Sequence, residues 1–171
     1  MKVALTLVLS LALFSGCKKD APAAGGAGGG GMAGGFATAD AAVKAFFDAV
    51  SNQDAKALEA AFATDAVLEA AVSCTVAGEG PAATSRKSRE DSLKKMPDAK
   101  GVKFEFVSSE NVSDVTFEEG KTLGSCTFKQ ALGTATLKVK FKITMGDKTE
   151  EESEVLEVGS LGGKFFILDM K

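Results

Sequence analysis

The side chains in this chain that could do chemistry are carboxylates and cysteines, because its 171 residues include no His, no Trp and no Tyr. Without His, the usual neutral-pH acid/base and the commonest metal ligand are missing, and Ser-His-Asp and Cys-His mechanisms are excluded. Without Tyr a common oxyanion donor is missing, and without Tyr or Trp so are the rings that commonly stack on sugars. What remains for proton transfer is a carboxylate. Asp65 follows Thr64 at a helix end, where it reads as a pocket base or, more plainly, as a cap. Asp48 and Glu69 fall on polar or undecided faces, and no pair of acids has a convincing spacing for shared work. Asp169 is the least ordinary acid, set beside Phe166 and Leu168 in an otherwise apolar strand, either in a pocket or at a wet strand end. The basic stretch Arg86, Lys87, Arg89, Lys94, Lys95 reads as a surface for an acidic partner or as a solvated helix face, since Glu90 and Asp91 offset it. The glycine run 28–31 lacks the Lys-Ser/Thr and helix of a phosphate loop, and no cofactor motif is present.

Composition sets the class. The chain is 45% apolar and 25% charged, as globular proteins are. From Phe36 onward it carries 17 Lys/Arg and 22 Asp/Glu, a net of −5. That mild negative balance argues against nucleic acid, which selects a basic footprint.

The opening residues, MKVALTLVLSLALFSGC, place Lys2 before an apolar run from Val3 to Phe14, too short for a bilayer span but the length of a signal-peptide core. The run ends Leu13-Phe14-Ser15-Gly16-Cys17, which resembles the lipobox of bacterial lipoproteins. The resemblance implies removal of residues 1–16, acylation of Cys17 and attachment to a membrane through that lipid. Lys18, where an Asp often marks inner-membrane retention, implies the outer membrane, facing the periplasm. Export then bears on Cys74 and Cys126, an even pair in an oxidising compartment. A bridge between them spans 52 residues and contributes about 4 kcal/mol through chain entropy. Two buried free thiols are the other reading. A redox pair would want Cys-x-x-Cys, and a metal site more ligands.

Three segments follow: the leader 1–16, the acylated Cys17 with a Gly/Ala tether through residue 35, and a folded domain over 36–171. As a flexible coil the tether spans about 20–25 Å. Residues 38–51 carry Val43, Phe46, Phe47 and Val50 at helical spacing, capped by Thr38 or Asp40. Asp54 caps a second helix with Leu58, Ala61 and Phe62 inward. Residues 66–75 finish that helix or begin a strand, the strand falling at 72–76. Gly78 to Pro81 reads as a turn, and 82–96 as a third helix with a thin apolar face of Leu93 and Met96.

After Gly101 the period becomes two. Strands are predicted at 102–106, 111–117 and 125–132. In the clearest strand, Leu137, Val139, Phe141, Ile143 and Met145 share one face, with Lys138, Lys140 and Lys142 on the other. Gly146-Asp147 turns the chain into a strand bearing Glu150, Glu152 and Glu154, predicted to face those lysines. Residues 159–163 form the last turn, and 164–170 a buried final strand.

The opening ADAAVKAFFDAVSNQDAKALEAAFATDAV and the closing hairpins through GGKFFILDMK resemble the nuclear transport factor 2-like family, also called SnoaL-like or cystatin-like. The resemblance covers about 36–171. It implies an α+β cone, with N-terminal helices packed in a curved antiparallel sheet around an apolar pocket. Enzymatic relatives line that pocket with Asp, Tyr or His, and two of those types are missing here. The reading is a lipid-anchored, non-enzymatic envelope domain that binds a protein partner or a small apolar ligand. An isomerase or hydrolase using a pocket carboxylate is the alternative.

Overall fold

The computed structural model describes residues 34–170. The leader, Cys17 and nearly all of the tether lie outside the described residues. The described chain is mixed α+β, with helices against curved antiparallel sheets.

Helix α1 (Ala39–Ser51) begins at Thr38, whose Oγ1 accepts from the Ala41 N–H at 3.1 Å. Its buried face is Ala42, Val43, Phe46, Phe47 and Ala49. Gln53 turns the chain in the left-handed region (φ 55°), and Asp54 caps α2 (Ala55–Ala61). The undecided residues 66–75 contain both alternatives. Thr64 caps a short helix, α3 (Asp65–Ala71), which runs directly into strand β1 (Val72–Cys74). Helix α4 (Gly80–Lys95) starts earlier than the predicted residue 82, because Pro81 fits a first helical turn instead of preceding it. A 3-10 turn, Met96–Ala99, continues it through Pro97.

The strands that follow are β2 (Val102–Phe117), β3 (Thr122–Leu123), β4 (Cys126–Phe128), β5 (Leu132–Met145), β6 (Lys148–Leu161) and β7 (Lys164–Met170). They form a main antiparallel sheet ordered β2-β5-β6-β7 and a small one ordered β1-β4-β3. The predicted strands 102–106 and 111–117 are one strand, interrupted by register shifts at Val107 and Val112. The predicted strand 125–132 divides, with β4 in the small sheet and Leu132 opening β5. Gly159 belongs to β6 and not to the last turn. A Cβ there would lie 2.3 Å from the Phe166 ring, so only glycine fits beneath that ring.

The expected lysine–glutamate ladder does not form. Met145 pairs with Lys148, which sets Ile143, Phe141 and Val139 opposite Glu150, Glu152 and Glu154. Residues paired across antiparallel strands share a face, so these glutamates lie on the apolar side of the sheet. On β2, Lys142 stands opposite Glu105, Lys138 opposite Glu110 and Lys140 opposite Ser108; Glu151 is the one glutamate of β6 opposite a lysine, Lys142.

Two cores flank β7. Phe165, Ile167 and Met170 join the cluster built on α1 and the inner sheet face, while Phe166 and Leu168 join a second with Leu68, Val72, Phe128 and Leu132. Burial on both faces explains why FFIL reads as an unbroken apolar run.

Candidate functional site

Between α1, α4, the 3-10 turn and the inner face of the main sheet lies a cavity of about 660 Å³. Its apolar floor is Phe46, Phe47 and Val50 from α1, Phe104 from β2, Phe141 and Ile143 from β5, with Met96 and Met170 at the sides. Phe47 is the hub, with its ring centroid 4.6 Å from Phe141, 5.4 Å from Phe46 and 6.0 Å from Phe104. The end of α1 is pinned to β2 by Ser51, whose Oγ accepts from the Phe104 N–H at 2.8 Å. The floor is therefore fixed at both the helix and the sheet. A cavity of this volume with an apolar floor falls in the range of small-molecule sites, roughly 300–1,000 Å³.

The mouth is polar. Lys87, Asp91 and Lys95 stand four residues apart along α4, and Thr84, Ser88 and Ser92 form the adjacent row. Glu154 on β6 and Asp169 on β7 border the other side. Asp91 is approached by Lys94 at 3.8 Å. The side chains of Lys87, Lys95, Glu154 and Asp169 make no ion pair or hydrogen bond among the described residues.

The wall, α4, contributes little apolar surface, Leu93 packing against the core on α1 and Ala82 against the second core. The residues it buries are Ser85 and Ser88. Ser88 Oγ accepts from the Met170 N–H at 3.1 Å, joining the helix to the edge of β7, while the fully buried Ser85 Oγ has no partner. At its C-terminal end, Gln53 Nε2 donates to the Met96 carbonyl at 2.8 Å. At its N-terminal end α4 rests on sulfur. Cys74 and Cys126 are directly opposed in the β1–β4 register, with their sulfurs 2.03 Å apart, at bonding distance. Gly80, at φ +84°, lies over them so closely that a Cβ would come within 2.4 Å of Cys74 Sγ.

Midway along α4, two arginines grip α3. Arg86 Nε donates to Asp65 at 2.7 Å and its Nη2 to Glu69 at 3.2 Å, while Arg89 Nη2 donates to the other Asp65 oxygen at 3.1 Å. Partial burial pushes the Asp65 carboxyl up. The hydrogen bonds and charges of Arg86 and Arg89 outweigh that and hold it below its ordinary 3.8.

The predicted candidates thus separate. Asp65 and Glu69 serve the α3–α4 contact, and Asp65 also occupies the first turn of its helix. Asp48 pairs with Lys44 at 2.7 Å. Asp169 borders the cavity. The basic stretch divides between the ion-pair cluster and the mouth. Sequence reasoning missed Glu154 and the pairing of Lys87 with Lys95. The signal for Glu154 was present, since a two-residue turn at Gly146-Asp147 puts it opposite Val139. Among the described residues no group of three or more Cys, Asp or Glu converges as a metal site. Compared with family models, curated proteins and solved structures, the chain matches none.

Proposed function

We propose that this chain is a lipid-anchored, non-enzymatic lipoprotein of the cell envelope, whose cone domain takes a small apolar ligand into the cavity between α1, α4 and the sheet. The reading combines the lipobox resemblance ending at Cys17 with an outer-membrane location facing the periplasm. The nuclear transport factor 2-like cone is proposed with it, supported by a main sheet whose inner face packs on α1 and by the order of the four helices before the strands of that main sheet. The observation that carries the binding function is the cavity itself, with its Phe and Met floor and polar mouth. The ligand reading is preferred to acid/base catalysis because the buried polar side chains among the described residues are Ser85 and Ser88, and no buried carboxylate faces the floor. Glu154 and Asp169 are half-buried at the mouth, where water reaches them.

Intact mass and fractionation of the chain from its host test the anchor. The expected product starts at Cys17 with acyl mass added and moves to the soluble fraction in Cys17→Ala. A chain that retains residues 1–16 and carries no lipid contradicts it. Mass spectrometry of small molecules extracted with the purified protein tests the ligand, and an apolar compound absent from a Phe47→Asp control is the expected result. Identical extracts from both proteins contradict it.

A further inference from the structure

We infer that the occupant of the cavity is a single-chain zwitterionic amphiphile, an apolar tail joined to a head carrying one positive and one negative group. The inference rests on reading the cavity as a ligand site and names what that site selects. The two walls of the mouth differ in net sign, with Asp91 standing between the lysines of the helical wall and approached by Lys94 at 3.8 Å. Lys87 and Lys95 stand on the helical wall, Glu154 and Asp169 on the strand wall, and none of the four has a side-chain ion-pair or hydrogen-bond partner among the described residues. Lys87 and Lys95 are exposed and Glu154 and Asp169 half-buried; a head group seated between them displaces part of their water, and a charge that loses water without gaining a partner is unfavourable. An anionic head pairs with the lysines and leaves the acids repelled. A cationic head does the reverse. An uncharged head leaves all four unmatched. A head with both signs, oriented with its anion toward α4 and its cation toward β6 and β7, matches both walls. The floor beneath presents aromatic and thioether surface, and Ser88, the buried polar side chain of the lining, is already engaged by the Met170 N–H, which suits an alkyl tail.

Calorimetric titration of the processed chain, residues 17–171 carrying Cys17→Ser, with four ten-carbon probes tests this: decylphosphocholine, decanoate, decylamine and decyl maltoside. The phosphocholine probe is expected to bind tightest. Shortening its tail to eight carbons should weaken it about 15-fold, at roughly fourfold per methylene, and phosphocholine without a tail should not bind. Lys87→Met with Lys95→Met should weaken decylphosphocholine about five- to tenfold while leaving decylamine unchanged or tighter. Glu154→Gln with Asp169→Asn should weaken decylphosphocholine similarly while leaving decanoate unchanged or tighter. Lys56→Met, on the exposed side of α2, should change nothing. Four probes within twofold of one another, or decanoate or decylamine binding tightest, overturn the zwitterion and leave the cavity reading standing. No binding by any probe overturns both.

Discussion

Replacing Gly80 by Ala tests how the cavity wall is held. The backbone at residue 80 has φ +84°, a conformation that costs an L-residue about 1–2 kcal/mol. The added methyl also meets two atoms, Cys74 Sγ at 2.4 Å and Cys126 Sγ at 3.1 Å. Ordinary contacts are about 3.5–4.0 Å. A free side chain would rotate away, but these sulfurs are joined to each other and fixed between β1 and β4. Overpacking of this kind costs about 1–3 kcal/mol. Gly80→Ala should therefore destabilise the protein by about 2–5 kcal/mol. In a Cys74→Ala/Cys126→Ala background both sulfurs are gone, and only the backbone part, about 1–2 kcal/mol, should remain. The coupling between the two changes should thus be about 1–3 kcal/mol. Urea unfolding followed by far-ultraviolet circular dichroism measures all four corners of the cycle, since the chain has no Trp or Tyr to report by fluorescence. A coupling of zero, with Gly80→Ala equally costly in both backgrounds, would refute the claim that α4 is seated on the bridge.

Ser85→Ala should raise stability by about 0.5–1.5 kcal/mol, because it removes a buried hydroxyl without a partner, whereas Ser88→Ala should lower it by about 1–2 kcal/mol by orphaning the Met170 N–H; denaturant midpoints of the two variants check the contrast. Gly159→Ala should cost about 3 kcal/mol or more, because its methyl would sit 2.3 Å from the Phe166 ring, and an unchanged thermal midpoint would contradict the register there. Asp65 has a folded pKa below its unfolded value, so its contribution is present above pH of about 4 and is lost as pH falls through the lower folded value. With a side chain 31% exposed, the contribution should be about 1 kcal/mol, so Asp65→Asn should be that much less stable at pH 7 and should converge with the parent in acid; a constant gap would contradict the sign.

How much of this was legible in the sequence follows from what hydropathy can encode. The face of α1, the hairpin tip at Gly146-Asp147 and the buried final strand are all written in apolar periodicity, and the structure has them. The role of α4 is not, because its buried face is Ser85 and Ser88, residues that read as solvent-facing until a neighbouring strand edge covers them. The continuity of β2 was hidden by its bulges, each of which reverses the inward phase and makes one strand look like two. The glutamates of β6 were assigned by charge matching with the lysines of β5. Turn arithmetic sets the opposite phase, and Lys138 and Lys142 stand opposite Glu110 and Glu105 of β2. For the candidate site, Asp169 and the basic helix were visible as residue types. Their convergence with Phe47, Phe104 and Phe141 depends on contacts between elements far apart in the chain, which no local pattern encodes.

The most direct test is a methyl-resolved NMR titration of residues 17–171, carrying Cys17→Ser, with decylphosphocholine. Met96 and Met170 line the cavity, while Leu123 stands 58% exposed on β3 in the small sheet, away from the cavity lining. Saturable shifts of the Met96 and Met170 methyls, with the Leu123 methyls unmoved, are the predicted result. Shifts at Leu123 alone, or at none of the three residues, would contradict the reading.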